Sequence, residues 1–138
     1  MENINFVKEQ LLNHATYFLE NMGEFYPIGM ALFNEKKIIF HGVEDNDVKV
    51  LPTIKIMTET LSNKLFTYLE EKDALCIGMA LDTDFTNKNG VVKTIEMRII
   101  SEDGKEDFTY FTYKIVNSKV IILNESSTPW TDLKLNEN

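Results

Sequence analysis

Ile28-Gly29-Met30-Ala31-Leu32 returns unchanged as Ile77-Gly78-Met79-Ala80-Leu81, and the reading of these two pentapeptides decides the fold. Each is an apolar run of strand length that follows a segment with helical spacing. Upstream of the first copy, Val7, Leu11, His14, Ala15, Phe18 and Met22 recur at intervals of three and four, the mark of an amphipathic helix. Asn5 is its candidate N-cap and Gly23 its stop, and Pro27 bars the helix from continuing. Upstream of the second copy, Ile54, Met57, Leu61, Leu65, Tyr68 and Leu69 form the same kind of stripe behind Pro52.

Leu11, Asn13, Leu19 and Glu20 align with Leu61, Asn63, Leu69 and Glu70 one residue out of step with the pentapeptides. A single deletion in the helix-to-strand turn reconciles them. Duplication of an α-β-β unit explains this; so do two similar packing environments. Downstream of the first copy, Asn34-Glu35-Lys36 turns the chain into a return strand over Lys37 to His41, and Gly42 to Asp47 is an acidic loop. Downstream of the second, Asp82 to Gly90 reads as a polar loop. From Val91 to Ile100, Val91, Ile95, Met97 and Ile99 alternate with Thr94, Glu96 and Arg98. A turn with Asp103-Gly104 leads to strands over Phe108 to Val116 and Lys119 to Asn124.

The fold class that follows is α+β: two helices packed on a mostly antiparallel sheet of about six strands, in the order α-β-β-α-β-β-β-β. Residues 1–138 read as a single domain with a polar tail from about residue 128, in which Trp130 stands out and its role is open.

Apolar residues make up 43% of the chain and charged residues 26%, ordinary for a globular protein. No apolar run approaches the ~20 residues of a membrane span. Met1 to Asn5 lack the basic start of a secretory signal, and the single cysteine forms no internal disulfide, so a cytoplasmic location is expected. Net charge is −8, and Arg98 is the sole arginine. That balance repels nucleic acid and anionic membrane, which excludes both as expected partners. Acidic charge of this kind mostly serves solubility and less often a basic partner.

The strands pose a covering problem. Gly29, Ala31, Cys76, Gly78 and Ala80 are expected on a helix-covered face, because glycine within a strand permits close backbone approach. Ile28, Met30, Leu32, Ile77, Met79 and Leu81 then fall on a second face that two helices cannot also cover. A patch of this size left wet costs several kcal/mol at ~25 cal/mol per Å². The expected cover is a second copy of the chain, making these six the candidate interface of a homodimer, with curling of the sheet as the rival.

Candidates for chemistry have structural readings beside them. His14, on an apolar stripe, reads as a packed histidine. His41 ends a strand near a loop mouth, yet has no sequence neighbour to orient it. Asp82 and Asp84 place two carboxylates two residues apart, but Asn87 and Lys93 occupy positions that break an EF-hand pattern, so no metal site is expected. Glu96 and Arg98 share a strand face and suit each other, or Tyr110 and Lys114 across the hairpin. Cys76 reads as buried and inert. No phosphate loop, nucleophile elbow, dinucleotide fingerprint or metalloprotease motif occurs, no cofactor is expected, and the question of catalysis stays open.

Gly23-Glu24-Phe25-Tyr26-Pro27-Ile28-Gly29 after an N-terminal helix resembles a set of small bacterial proteins that share a Gly-Glu-Phe-Tyr-Pro-Phe-Gly segment, with Ile28 here in place of the aromatic. Leu81-Asp82 matches a strand end in the same set. The resemblance implies no activity. The element order also resembles the roadblock type of dimerising module, apart from a missing C-terminal helix.

Two function classes follow. One is a non-enzymatic protein-interaction or self-associating module, in one form an acidic immunity or inhibitor protein that masks a basic toxin. The other is a small-molecule binder or hydrolase with a polar site on the open sheet face built from Tyr26, His41, Asp82, Glu96 and Arg98.

Overall fold

The computed structural model describes residues 2–42 and 54–127. Most of the acidic loop, Pro52, Trp130 and the polar tail lie outside the described residues. The elements are α1 (Glu2–Met22), β1 (Ile28–Leu32), β2 (Ile38–His41), α2 (Ile54–Glu71), β3 (Cys76–Asn87), β4 (Gly90–Ser101), β5 (Glu106–Val116) and β6 (Lys119–Ser126). The six strands form one antiparallel sheet in the spatial order β2-β1-β3-β4-β5-β6. The expected class and element order are those observed. Helix α1 begins before Asn5, which sits inside the first turns rather than capping them. Asp82 to Asn87 is strand, not loop: β3 and β4 pair without a break from Cys76–Ser101 to Asn87–Gly90.

The two pentapeptides lie side by side as antiparallel neighbours, and their register corrects the expected faces. Met30 stands opposite Gly78 and Gly29 opposite Met79. Directly opposed residues share a face. Ile28, Met30 and Leu32 therefore share one with Cys76, Gly78 and Ala80, while Gly29 and Ala31 share the other with Ile77, Met79 and Leu81. The small residues do not collect on one side. Each strand offers its neighbour's helix a glycine and its own helix three large side chains.

One helix covers each face. The stripe Ile4, Val7, Leu11, Ala15 and Leu19 of α1 packs on Ile28, Met30, Leu32, Ile95, Met97 and Ile99. Leu61 and Leu65 of α2 pack on Ala31, Ile77, Met79 and Leu81. Close approach is what makes this possible: a Cβ on Gly78 would meet Val7 Cγ1 at 2.6 Å and Leu11 Cδ1 at 2.8 Å, and one on Gly29 would meet Leu65 Cδ1 at 2.8 Å. Both methionines are inside a single chain, Met30 at 0% and Met79 at 6% exposure. The six residues expected as a dimer interface are thus divided between two faces and buried in the monomer. The physical basis for a second copy over them is gone.

The sheet also curls. The β4–β5 ladder stops at Thr94–Thr112 although both strands run on. Beyond that point the β5–β6 hairpin bends over α1, bringing Ile115 and Val120 onto its core. A long-range bond holds it there, the Val120 N–H donating to Glu20 Oε2 at 2.9 Å, and Lys8 pairs at 3.1 Å with Asp107 on the regular part of β5. A two-residue turn with Asn117 and Ser118 both at positive φ closes the hairpin, the geometry that matches strand twist.

The candidate repeat keeps its order but not a symmetry. A two-fold axis between antiparallel β1 and β3 would leave both helices on one face, and they lie on opposite faces. Among the described residues no helix is long and apolar enough to cross a membrane.

Candidate functional site

The five residues expected to form one polar site sit in three places. His41 faces α2, where its Nε2 shares a hydrogen bond with the Tyr68 hydroxyl across 2.6 Å and the rings stack 5.3 Å apart. Burial lowers its pKa first, and Lys64 adds to the shift; the shared bond makes His41 a strut between β2 and α2. Glu96 and Arg98 pair with each other at 2.8 Å on the face that α2 shares, with the Glu96 carboxylate buried and the Arg98 guanidinium nearly half exposed. Arg98 and Phe108 edge a cleft of about 170 Å³ beside α2. Tyr26 and Asp82 do come together, at the end of the sheet where β1 begins.

That end holds the candidate site, a cleft of about 460 Å³. Five pieces of chain line it, Gly42 after β2 among them. The last turns of α1 supply Phe18 and Met22; the segment after Gly23 supplies Glu24, Phe25, Tyr26 and Pro27; Ile28 opens β1; and Asp82 and Asp84 project from β3 on the α1 face. The local sequence explains each placement. Gly23 at φ 82° ends α1 in the left-handed conformation, its N–H bonded to the Leu19 carbonyl at 2.9 Å. Pro27 then forces an extended path, so Phe25 and Pro27 turn inward and Tyr26 outward. Phe18 and Met22 fall one position off the buried stripe of α1, which leaves Met22 67% exposed at the mouth.

Asp82 is the polar centre of the cleft. Its Oδ1 accepts from the Tyr113 hydroxyl at 3.0 Å and its Oδ2 from the Phe25 N–H at 3.4 Å. Burial raises its pKa, the two hydrogen bonds oppose that, Asp84 raises it further and Lys93 counters weakly; the net shift is upward. The same carboxylate and burial push the Tyr113 phenol up in turn. Lys93, paired with Asp84 on the neighbouring strand position, reaches the Asp84 carboxylate at 3.8 Å outside the cleft. No lysine or arginine among the described residues comes within ion-pair distance of Asp82. The cleft walls are aromatic and aliphatic, and among the described residues the charged groups that line it are carboxylates: Glu24, Asp82 and Asp84.

Two partners of Asp82 escape a reading of the sequence alone. Tyr113 alternates in phase with Phe111, which puts it on the α1 face, but nothing along the chain says that β5 bends far enough to reach β3. The Phe25 N–H is a backbone group with no sequence signature. Elsewhere the cysteine is inert: Cys76 is fully buried and burial pushes its thiol up to about 12. Among the described residues no three His, Cys, Asp or Glu side chains converge as metal ligands.

Of the two stretches that carry the resemblance noted in the sequence, Glu24 to Ile28 and Asp82 meet in this cleft. In comparisons with family models, curated proteins and solved structures, the chain matches none of them.

Proposed function

We propose that the chain is a non-enzymatic interaction module of the cytoplasm that engages a basic protein partner, with the Asp82 cleft receiving a cationic side chain of that partner. The observation that carries this reading is the lining of the cleft. Aromatic faces attract cations, and a half-buried carboxylate with no ion-pair partner among the described residues adds negative charge where screening is weak. A net charge of −8 supports it by steering a basic partner toward the surface. An immunity or inhibitor protein that masks a basic toxin is the concrete form.

The test is an amide NMR titration with octalysine against octaglutamate in moderate salt. Octalysine should move the Phe25, Tyr26 and Asp82 signals in the parent and leave them in place in Asp82→Asn. Shifts scattered over the acidic surface, with none at those three residues, would sink the proposal.

A second reading has a specific observation in its favour. A volume of about 460 Å³ falls in the range of small-molecule clefts, ~300–1,000 Å³, so a free organic amine is the competing occupant. A small amine that saturates the cleft at concentrations where octalysine does not would decide for it.

A further inference from the structure

We infer that the cleft selects a primary ammonium, the lysine head group, over the guanidinium of arginine; this rests on the cation reading above and sharpens it to one chemistry. The geometry at Asp82 is the reason. A guanidinium binds a carboxylate best as a fork, two parallel N–H groups onto two oxygens in one plane. Here each oxygen is already engaged within the chain, Oδ1 by the Tyr113 hydroxyl and Oδ2 by the Phe25 N–H. Two separate elements, β5 and the segment after α1, therefore each donate already to one of the two oxygens that a fork would take together.

An ammonium makes a different demand. It is a compact point charge with three donors, and it needs only one free lone pair from any direction, with apolar surface around its methylenes. Phe18, Phe25 and Tyr26 supply that surface. Asp84 two residues further along the same strand face, with Lys93 already beside it, sets the outer limit of the negative field. Among the described residues a lysine ammonium thus stands beside the rim carboxylate and none stands beside the inner one.

The experiment compares n-butylammonium, n-butylguanidinium and n-butanol on the parent protein, following the Phe25 amide because its N–H touches the Asp82 carboxylate. Butylammonium should bind at least about tenfold more tightly than either of the others. Tyr113→Phe releases Oδ1, so it should narrow the gap between ammonium and guanidinium, an effect that a purely structural hydroxyl would not have. Guanidinium binding at the same residues as tightly as ammonium would overturn the selectivity while leaving the cation reading intact. Both cations binding no better than butanol would overturn the two together. The three-ligand comparison needs no variant, so it decides the matter even where Tyr113→Phe folds poorly.

Discussion

At Gly78 a hydrogen is all that the packing of α1 admits. Gly78→Ala sets a methyl 2.6 Å from Val7 Cγ1 and 3.2 Å from Ile99 Cγ1, so α1 must lift or its side chains leave their rotamers. The expected cost is about 1–3 kcal/mol in chemical denaturation. Gly29→Ala, whose nearest neighbours are the ends of two leucines, should cost less. A Gly78→Ala protein as stable as the parent would show that α1 rides higher than described. Asp82 makes a prediction in pH. Burial raises its carboxyl above the ordinary 3.8, so the folded chain holds this proton more tightly than the unfolded chain does. Its contribution to stability is complete below 3.8 and is lost as pH rises through the raised value. Asp82→Asn removes that loss. The melting temperature of the variant relative to the parent should climb with pH across this window, and a flat difference would mean that the carboxylate is not desolvated. Cation affinity should run the other way and weaken on acidification. At this scale the sequence was informative about identity and not about company. Asp82 was visible as a candidate; its Tyr113 and Phe25 partners were not, because both bonds cross between elements far apart along the chain.

At the scale of elements, Glu20 decides how β6 behaves. β6 is an edge strand with the run Val120-Ile121-Ile122-Leu123, of which Ile121, Ile122 and Leu123 are exposed. An apolar edge of this kind invites pairing with another chain. The Glu20 carboxylate occupies the Val120 N–H, and a register shift at Thr112/Tyr113 spoils the regular ladder nearby. Glu20→Ala should therefore do two things. It should cost about 1 kcal/mol with faster hydrogen exchange at Val120, and it should raise the tendency of the protein to associate at high concentration. A variant that stays monomeric and protected would remove Glu20 from this role. The elements themselves were legible: two stripes of helical period placed both helices, and apolar runs, the alternation in Val91 to Ile100 and the turn residues placed all six strands. The extension of β3 through Asp82 to Asn87 was hidden, because Asp82, Thr83, Asp84 and Thr86 look like loop residues. They are strand because β4 is there to pair with them.

For the molecule as a whole, the difference between expectation and structure comes down to register. Alternation within each pentapeptide was read correctly. Which phase of β1 shares a face with which phase of β3 is set by their pairing, and a shift by one residue exchanges the faces. That shift turns an apparent excess of apolar surface into two separate cores, each with its own helix. The consequence can be measured. Met30→Asp or Met79→Asp places a charge in a dry interior and should lower stability by several kcal/mol, with the folded fraction keeping the parent's sedimentation coefficient. A change of assembly state without loss of stability would restore the interface reading. The closure of α1 by the last hairpin also bears on biosynthesis. The bonds from Lys8 to Asp107 and from Glu20 to Val120 join α1 to strands made about a hundred residues after it. Half of the surface that α1 packs on comes from Ile95, Met97 and Ile99, so a nascent chain stalled ahead of β4 would hold a greasy stripe in need of a chaperone. Completion of β4, with β5 and β6 closing over it, and not the emergence of the first helix and hairpin, is the point at which this stripe is safe from aggregation.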